Sequence, residues 1–170
     1  MVAETEKLRS ALLSSVSHDL RSPLAAMIGS AMQRLKHYQP EVKIEVALAE
    51  ELPQLYVHPA LIEQAIFNVL ENAAKFSPEN VPIEIKIHQE EQFLQIDIID
   101  QGIGIPEEER QQIFDMFYTM QRGDRGKTGT GLGLAIVKAI IGAHMGSIEA
   151  FGGTDGQGTL IRIRLPLHQG

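Results

Sequence analysis

The first part of the chain has the hydrophobic spacing of a helix. Leucine and valine recur every fourth residue, at Leu8, Leu12, Val16 and Leu20. This period predicts a helix over residues 3–31 with one apolar face. Pro23 lies inside it, where it removes one hydrogen bond and crowds the carbonyl of Asp19. We therefore expect a bend beside His18, which lies on the polar side.

Farther along, apolar and polar residues alternate in five stretches, which is the pattern of strands. They cover residues 41–48, 83–87, 93–99, 147–151 and 159–165. A short polar turn joins the second and third stretches, which predicts a hairpin. Residues 118–130 contain three glycines and no apolar period, and this composition predicts a loop.

Two more segments have a helical period. One begins near Pro59, a residue suited to the first helical turn. Its predicted buried face is Ile62, Ala65, Ile66, Val69, Leu70 and Ala73, and its polar face is Gln64, Asn68, Glu71, Asn72 and Lys75. The other covers residues 132–145 and is closed by Gly146, and a short helix begins at Pro106. These elements predict an α+β fold in which helices pack over a mixed sheet.

Composition narrows the classes of function. The 170 residues are 44% hydrophobic, which is enough for a packed core, and the formal net charge is -7. Nucleic acid and anionic membranes repel an acidic chain without a basic patch, so we expect neither as a partner. The chain has no cysteine, which excludes disulfides and thiolate metal sites. No apolar run reaches the roughly 20 residues of a membrane-spanning helix.

A stripe on the helix that begins at Pro59 is the first candidate for ligand chemistry. Asn68 and Asn72 stand one turn apart, and Lys75 follows three residues later. Two amides and an ammonium can hold a hydrated Mg²⁺ and the phosphates that it bridges. The plainer interpretation is a solvated helix face.

Two glycine-containing segments are the next candidates. Asp100 ends an apolar strand, where its carboxylate can accept a hydrogen bond from an adenine amino group, and Gly102 and Gly104 let the backbone approach a flat ring. Residues 129–134, Gly-Thr-Gly-Leu-Gly-Leu, open a helix directly, and N–H groups at a helix N-terminus favour an anion such as phosphate. The run lacks the spacing of the dinucleotide fingerprint and of the phosphate loop. The plainer interpretations are an ordinary turn and a flexible hinge.

His18 is a candidate nucleophile. A neutral imidazole is nucleophilic near neutral pH, and Asp19 beside it can accept the Nδ1 proton and leave Nε2 free to attack. A histidine on the polar side of an exposed helix is otherwise a common surface residue.

Taken in order, these segments resemble the motifs of sensor histidine kinases. Residues 17–24, Ser-His-Asp-Leu-Arg-Ser-Pro-Leu, are similar to the phosphoacceptor box, residues 68–75 to the N box and residues 100–104 to the first glycine box. Residues 114–117, Phe-Asp-Met-Phe, are similar to the F box, and residues 129–134 to the second glycine box. The first box is most similar to that of the potassium-responsive KdpD kinases, which implies potassium signalling. The resemblance covers nearly the whole chain.

The resemblance implies a Bergerat-type ATP-binding α/β sandwich, of the kind shared with gyrase, the Hsp90 chaperones and MutL. A truncated helical dimerisation and phosphoacceptor segment in residues 1–31 is implied to precede the ATP-binding domain in residues 32–170, in which residues 118–130 form a lid. The implied cofactors are ATP and Mg²⁺, with Asn72 and Asn68 as metal-binding residues. The residues implied to contact the nucleotide are Asn68, Asn72, Lys75, Phe76, Asp100, Gly102, Gly104, Gly129, Thr130, Gly131, Leu132 and Gly133.

The implied activity is ATP-dependent phosphorylation of His18 and transfer of the phosphoryl group to an aspartate of a response regulator. The implied catalytic residues are His18, Asp19 and Ser22, and Ser22 stands where kinases that also dephosphorylate their response regulator have Thr or Asn. In hydrolytic relatives a glutamate one turn before the metal-binding asparagine activates water. Here that residue is Asn68, and an amide cannot act as a general base, so hydrolysis should be poor. The alternatives are a hydrolytic ATPase and a non-catalytic nucleotide-binding interaction module.

The chain departs from the family pattern after the first helix. The family folds its dimerisation region as two antiparallel helices, but residues 32–39, at about 1.5 Å per residue, are too short to return along residues 3–31. We therefore expect the second helix to be missing, and this chain to form no four-helix dimer bundle by itself. For the intact protein the resemblance implies a homodimer, a receiver domain as partner, and a cytoplasmic position beside an inner-membrane anchor outside these residues.

Overall fold

The structure is a computed structural model that describes residues 21–49, 55, 57–78, 81–102, 104–115, 133–153 and 158–167, and of residues 21–23 only the backbone. The helices in these ranges are α1 (Arg21–Tyr38), α2 (Pro59–Phe76) and α3 (Gly133–Ala143). The strands are β1 (Ile44–Leu48), β2 (Ile83–Glu90), β3 (Phe93–Asp100), β4 (Ser147–Gly152) and β5 (Thr159–Pro166). Two 3₁₀ turns, Glu107–Glu109 and Gln112–Phe114, take the place of the short helix predicted from Pro106.

The strands of the described residues form a mixed sheet in the order β1-β2-β3-β5-β4. β1 runs parallel to β2, and every other neighbouring pair is antiparallel. The predicted hairpin is confirmed as β2–β3, which turns at Glu91 with a φ of 56°. α2 packs on β2 and β3, and α3 packs on β4. The predicted α+β arrangement of helices over a mixed sheet is therefore confirmed.

α2 is the central helix of this layer and packs against both α1 and α3. His58 precedes it and caps its N-terminus, because the His58 Nδ1 accepts the backbone N–H of Leu61 at 3.4 Å. The six positions predicted to be buried are all at most 3% exposed. Asn68, which the sequence placed on the polar face, is only 7% exposed, because the N-terminus of α3 covers it.

α1 extends beyond the helix end predicted at Ala31 and ends at Tyr38, so that prediction was wrong. Ser30 faces outward and Gly29 is only partly covered, so neither residue interrupts the helix. The apolar stripe continues past them, and its buried members are Leu24, Met27, Ile28, Ala31 and Leu35. Residues 39–43 then join α1 directly to β1, so the predicted domain boundary after residue 31 falls inside one helix.

The C-terminus of α3 also differs from the prediction. The helix ends at Ala143, and the residue in the left-handed region is Met145, with a φ of 63°, rather than Gly146. The Gly146 N–H donates to the carbonyl of Ile141 at 2.9 Å and closes the last turn. Glycine is required there because a Cβ would collide with the carbonyl oxygen of Arg164 on β5.

The predicted bend at His18 and the predicted loop at residues 118–130 lie outside the described residues. In the ranges that are described, no helix combines the length and the apolar character needed to span a bilayer.

Replacing Gly29 by alanine should raise the free energy of unfolding by about 0.5–1 kcal/mol, because alanine loses less backbone entropy in a helix interior. An added Cβ at Gly29 has no neighbour within 4 Å, so no steric cost offsets the gain. Urea unfolding measures the difference. Gly146→Ala is the matched comparison and should be destabilising. A Gly29→Ala variant less stable than the parent would contradict a continuous α1.

Candidate nucleotide-binding site

Four segments of the chain that are far apart in sequence converge at one end of the sheet. They are the C-terminal half of α2, the segment that follows β3, the turn that leads into β5, and the first residue of α3. Three contacts join them: Asn68 to Gly133, Gly102 to the carbonyl of Phe76, and Gly158 to Gly102. The arrangement brings the N box and the first glycine box, predicted separately from the sequence, into one site.

Asn68 joins α2 to the start of α3. Its Nδ2 donates to the carbonyl oxygen of Gly133 at 3.2 Å, and its Oδ1 accepts the Nε2 of Gln64 at 2.7 Å. Gly133 is the last glycine of the second glycine box. The buried amide of Asn68 is therefore satisfied on both sides by the protein.

Asn72 and Lys75 follow Asn68 on the same side of α2 and are only partly buried. Neither side chain makes a hydrogen bond or an ion pair among the described residues, so both are available to a ligand. The described residues contain no group of three His, Asp or Glu side chains that could enclose a metal ion. Mg²⁺ takes a few protein oxygens and completes its shell with phosphate oxygens and water. The Asn72 amide oxygen fits that role.

Asp100 is a buried carboxylate at the end of β3 and is 6% exposed. Burial raises its pKa from the ordinary 3.8 to about 6, although the backbone N–H groups of Gly102 and Thr159 stabilise the ionised form. The Gly102 N–H donates to Oδ1 at 2.8 Å. At neutral pH the side chain is therefore mainly ionised and can accept a hydrogen bond from an exocyclic amino group.

The glycines around Asp100 allow the backbone segments to approach closely. A Cβ on Gly102 would collide with the carbonyl oxygen of Phe76, whose ring is only partly buried. Gly104 has a φ of 80°, a conformation that L side chains rarely adopt. Gly102 and Gly104, both predicted from the sequence, therefore occupy positions at which a larger residue would collide or be strained.

Sequence reasoning missed Gly158 and Thr159 as part of this site. Thr159 pairs with Asp100 across the sheet, and the Gly158 N–H donates to the carbonyl of Gly102 at 3.1 Å. A Cβ on Gly158 would collide with the carbonyl oxygen of Asp100. The available signal was the glycine-rich turn that immediately precedes a strand of alternating pattern.

The structure does not describe all of the predicted site residues. His18, Asp19 and residues 129–132, which include Gly129, Thr130, Gly131 and Leu132, lie outside the described residues. Ser22 lies in α1, but its side chain is not described. In the segment similar to the F box, Phe114 is 6% exposed and packs in the core. The site therefore contains the predicted nucleotide contacts on α2 and after β3, and Gly133 from the second glycine box.

Comparison with known proteins agrees with this geometry. Residues 57–169 match the family described as histidine kinase-, DNA gyrase B-, and HSP90-like ATPase. The chain belongs to this family. The predicted ATP-binding α/β sandwich and the resemblance to sensor histidine kinases are both confirmed.

Two curated relatives and one solved structure define the similarity. The chain is 32% identical over 227 residues to the sensor protein KdpD of Clostridium acetobutylicum, with 96% of this chain and 25% of that protein covered. It is 40% identical over 130 residues to the adaptive-response sensory kinase SasA of Gloeothece citriformis, with 76% and 33% covered. The mycobacterial sensor histidine kinase MprB superimposes with a TM-score of 0.73 at 31% identity, covering 84% of this chain and 93% of that one.

The chain spans between a quarter and a third of the length of these curated relatives. The similarity to KdpD extends over 227 residues although this chain has 170, so the relative contains residues without a counterpart here.

Gly102→Ala should lower the free energy of unfolding by about 1–3 kcal/mol, the usual cost of forcing extra volume into a packed position. The collision would be with backbone, at the carbonyl of Phe76, and cannot be relieved by a rotamer change. Chemical unfolding measures the loss. Gly142→Ala, where an added Cβ meets nothing within 4 Å, is the control and should be tolerated. Equal stability of both variants would contradict the close approach.

Asp100→Asn should reveal a pH-dependent difference in stability. Between about pH 4 and pH 6 the folded chain holds a proton on Asp100 that the unfolded chain has released, so wild-type stability falls relative to the variant as the pH rises. The total change should be roughly 2–3 kcal/mol, and the difference should be constant above that range. Urea unfolding of both proteins across the range measures it. A difference that is flat, or that changes in the opposite direction, would contradict a raised pKa for Asp100.

Proposed function

We propose that this chain is the catalytic part of a two-component sensor histidine kinase, which binds Mg-ATP and transfers the γ-phosphoryl group to His18. The proposal rests on the arrangement of polar side chains and backbone at this site. The side chains of Asn72 and Lys75 are unpaired among the described residues, and the same helix ends against the glycine segment that follows the buried acceptor Asp100. A site with a polar phosphate end and a buried acceptor for a base suits an adenine nucleotide.

Each of the site residues that the structure describes has a role in binding the nucleotide. Asp100 accepts a hydrogen bond from the adenine amino group, and Gly102 and Gly104 let the backbone lie against the ring. Asn72 supplies an oxygen ligand for the metal, and Lys75 places a positive charge near the phosphates. Bound Mg²⁺ would neutralise charge on the phosphate oxygens during transfer.

The proposed reaction is a phosphoryl transfer to nitrogen. The Nε2 of His18 attacks the γ-phosphorus, the bond from that phosphorus to the β–γ bridging oxygen breaks, and ADP leaves with that oxygen. Asp19 accepts a hydrogen bond or the proton from Nδ1 of the same ring. An aspartate of a response regulator is the proposed final acceptor, and Ser22 is proposed to lie near the reacting group.

Transfer is favoured over hydrolysis by the chemistry of residue 68. Hydrolysis needs a general base to activate water, and the Asn68 amide has no basic site and is engaged by Gln64 and Gly133. A hydrolytic ATPase is therefore the weaker alternative. The same residue does not prevent nucleotide binding.

We propose residues 1–31 as the phosphoacceptor segment and residues 32–170 as the ATP-binding domain of the parent kinase. α1 crosses this boundary, and its buried face, from Leu24 to Leu35, belongs to the core that also contains α2. His18 is only six residues before Leu24, and the described residues between Tyr38 and β1 contain no separate helix. The chain therefore lacks the second helix that the family uses to build its dimer bundle around the phosphoacceptor. We expect the chain alone to bind nucleotide but not to phosphorylate itself. This makes a nucleotide-binding interaction module the second candidate for the chain by itself.

For the intact protein we propose a homodimer that acts on a receiver domain. It would lie on the cytoplasmic side of an inner-membrane anchor located outside these residues. The similarity to KdpD supports a part in potassium signalling, because KdpD is a relative to which nearly the whole chain aligns.

Calorimetric titration of this chain with Mg-ATP should show one binding site. Asp100→Ala should weaken binding by about tenfold, because the lost hydrogen bond to a charged group is worth about 1.5 kcal/mol. Glu84→Gln, a change on the exposed side of β2, is the matched control. Absence of binding by the parent chain would contradict the proposed site.

Phosphorylation is tested by inserting only the second dimerisation helix of a KdpD relative after residue 31, so that His18 stays in the single phosphoacceptor box, and by adding γ-labelled ATP with Mg²⁺. The label should be acid-labile and alkali-stable, and His18→Gln should abolish it. Label that persists in the His18→Gln protein would refute the assignment of the acceptor. Binding without any label in the extended protein would favour the interaction module.

A further inference from the structure

A series of side-chain hydrogen bonds runs from α1 through α2 to α3. The Nη1 of Arg34 donates to the Oε1 of Gln64 at 3.1 Å. The Nε2 of Gln64 donates to the Oδ1 of Asn68 at 2.7 Å, and the Nδ2 of Asn68 donates to the carbonyl of Gly133 at 3.2 Å. The series thus begins on α1, outside the nucleotide site, and ends at the second glycine box.

The direction of this series is set at its first member. A guanidinium group carries five donors and no acceptor, so Arg34 can only bind the oxygen end of the Gln64 amide. The NH₂ end of Gln64 must then point at Asn68, whose oxygen faces it. This leaves the Asn68 NH₂ group facing Gly133, whose carbonyl accepts it.

Arg34 is held in place by more than this bond. Its guanidinium lies over the ring of Phe67, 3.9 Å from the ring centroid, and also contacts the carboxylate of Glu63 at 3.4 Å. Phe67 is 5% exposed, so the ring is a fixed platform. The donor that orients Gln64 is therefore itself oriented by α2.

We propose that Gln64 is a positioning residue for the nucleotide site, acting through Asn68. It holds the Asn68 amide in the one orientation that bonds to Gly133, and so keeps the start of α3 against α2, one helical turn before Asn72. Gly133 lies where the glycine run enters α3, and free N–H groups at such a helix end favour a phosphate. The inference therefore rests on the proposed function, in which this site binds Mg-ATP. Gln64 contacts neither nucleotide nor metal in this proposal.

The sharpest test is Gln64→Glu, which keeps the size of the side chain and its acceptor for Arg34. The introduced carboxylate cannot donate to the Asn68 oxygen, so the Asn68 amide must turn its NH₂ group toward that carboxylate and its oxygen toward the carbonyl of Gly133, where two acceptors oppose each other. Mg-ATP affinity, measured by calorimetry on the full chain, should fall about tenfold. Gln33→Glu is the matched control, since it adds the same charge at an exposed position of α1, and it should bind as the parent does.

A double-mutant cycle separates positioning from a general loss of stability. In an Asn68→Ala background Gln64→Glu should cause no further loss of affinity, because the residue through which it acts is gone. The inference would be overturned if the losses of Mg-ATP affinity in the two single variants added in full in the double variant. It would also be overturned if the Gln64→Glu protein bound Mg-ATP like the parent. Neither result would contradict the proposed nucleotide site. A parent chain that binds no Mg-ATP would instead overturn the proposed function, and the inference with it.

A second variant covers the case in which Gln64→Glu does not fold. Gln64→Met keeps the length of the side chain and removes both the donor and the acceptor, and it should also lower affinity about tenfold. In nuclear magnetic resonance spectra of the nucleotide-free chain, the side-chain NH₂ protons of Asn68 should exchange faster in this variant than in the parent. Unchanged affinity and unchanged exchange would overturn the inference.

Discussion

The burial of α2 is the constraint on which the rest of the structure depends. One face of this helix supplies fully buried residues such as Ile62, Ile66 and Leu70 to the core beneath it. Because six positions are fixed by packing, the rotation of the helix about its axis is fixed as well, and the side chains on its remaining faces have defined directions. Asn68 is thereby placed against α3, and Asn72 and Lys75 are left facing outward. The candidate phosphate end of the site is a consequence of the packing of α2.

The other end of the site depends on close backbone contacts and on one buried charge. Gly102 and Gly158 are positions at which a side chain cannot fit, so the segment after β3 lies directly against α2 on one side and the turn before β5 on the other. This packing removes water from Asp100 and raises its pKa to about 6. Burying a carboxylate costs stability even when backbone N–H groups donate to it, and a ligand that donates a further hydrogen bond would recover part of that cost. Such a cost at a non-catalytic position is typical of a binding site.

Periodicity was sufficient to predict most of the fold, and it failed where two interpretations of the same residues competed. The spacing from Ile62 to Ala73 predicted the buried face of α2 correctly because tertiary packing there follows the helical period. The end of α1 was predicted at Ala31 but lies at Tyr38, because the buried stripe continues through Ala31 and Leu35, with Gly29 tolerated at a cost of about 1 kcal/mol. At the end of α3, Met145 adopts the left-handed conformation. The following residue, Gly146, must be glycine because a side chain there would collide with β5.

The candidate site was predicted as separate motifs, and their joining required the structure. The i, i+4 spacing already makes Gln64 and Asn68 neighbours on α2. Nothing in the sequence shows that Gly133 reaches Asn68, because that contact depends on how α3 returns to α2. The most direct test of the account is a crystal structure of this chain with Mg²⁺ and a non-hydrolysable ATP analogue. The adenine amino group should lie within hydrogen-bond distance of the Asp100 carboxylate, and the Asn72 oxygen should lie about 2.1 Å from the metal. A nucleotide bound elsewhere on the chain, or bound here with Asp100 and Asn72 free, would contradict it.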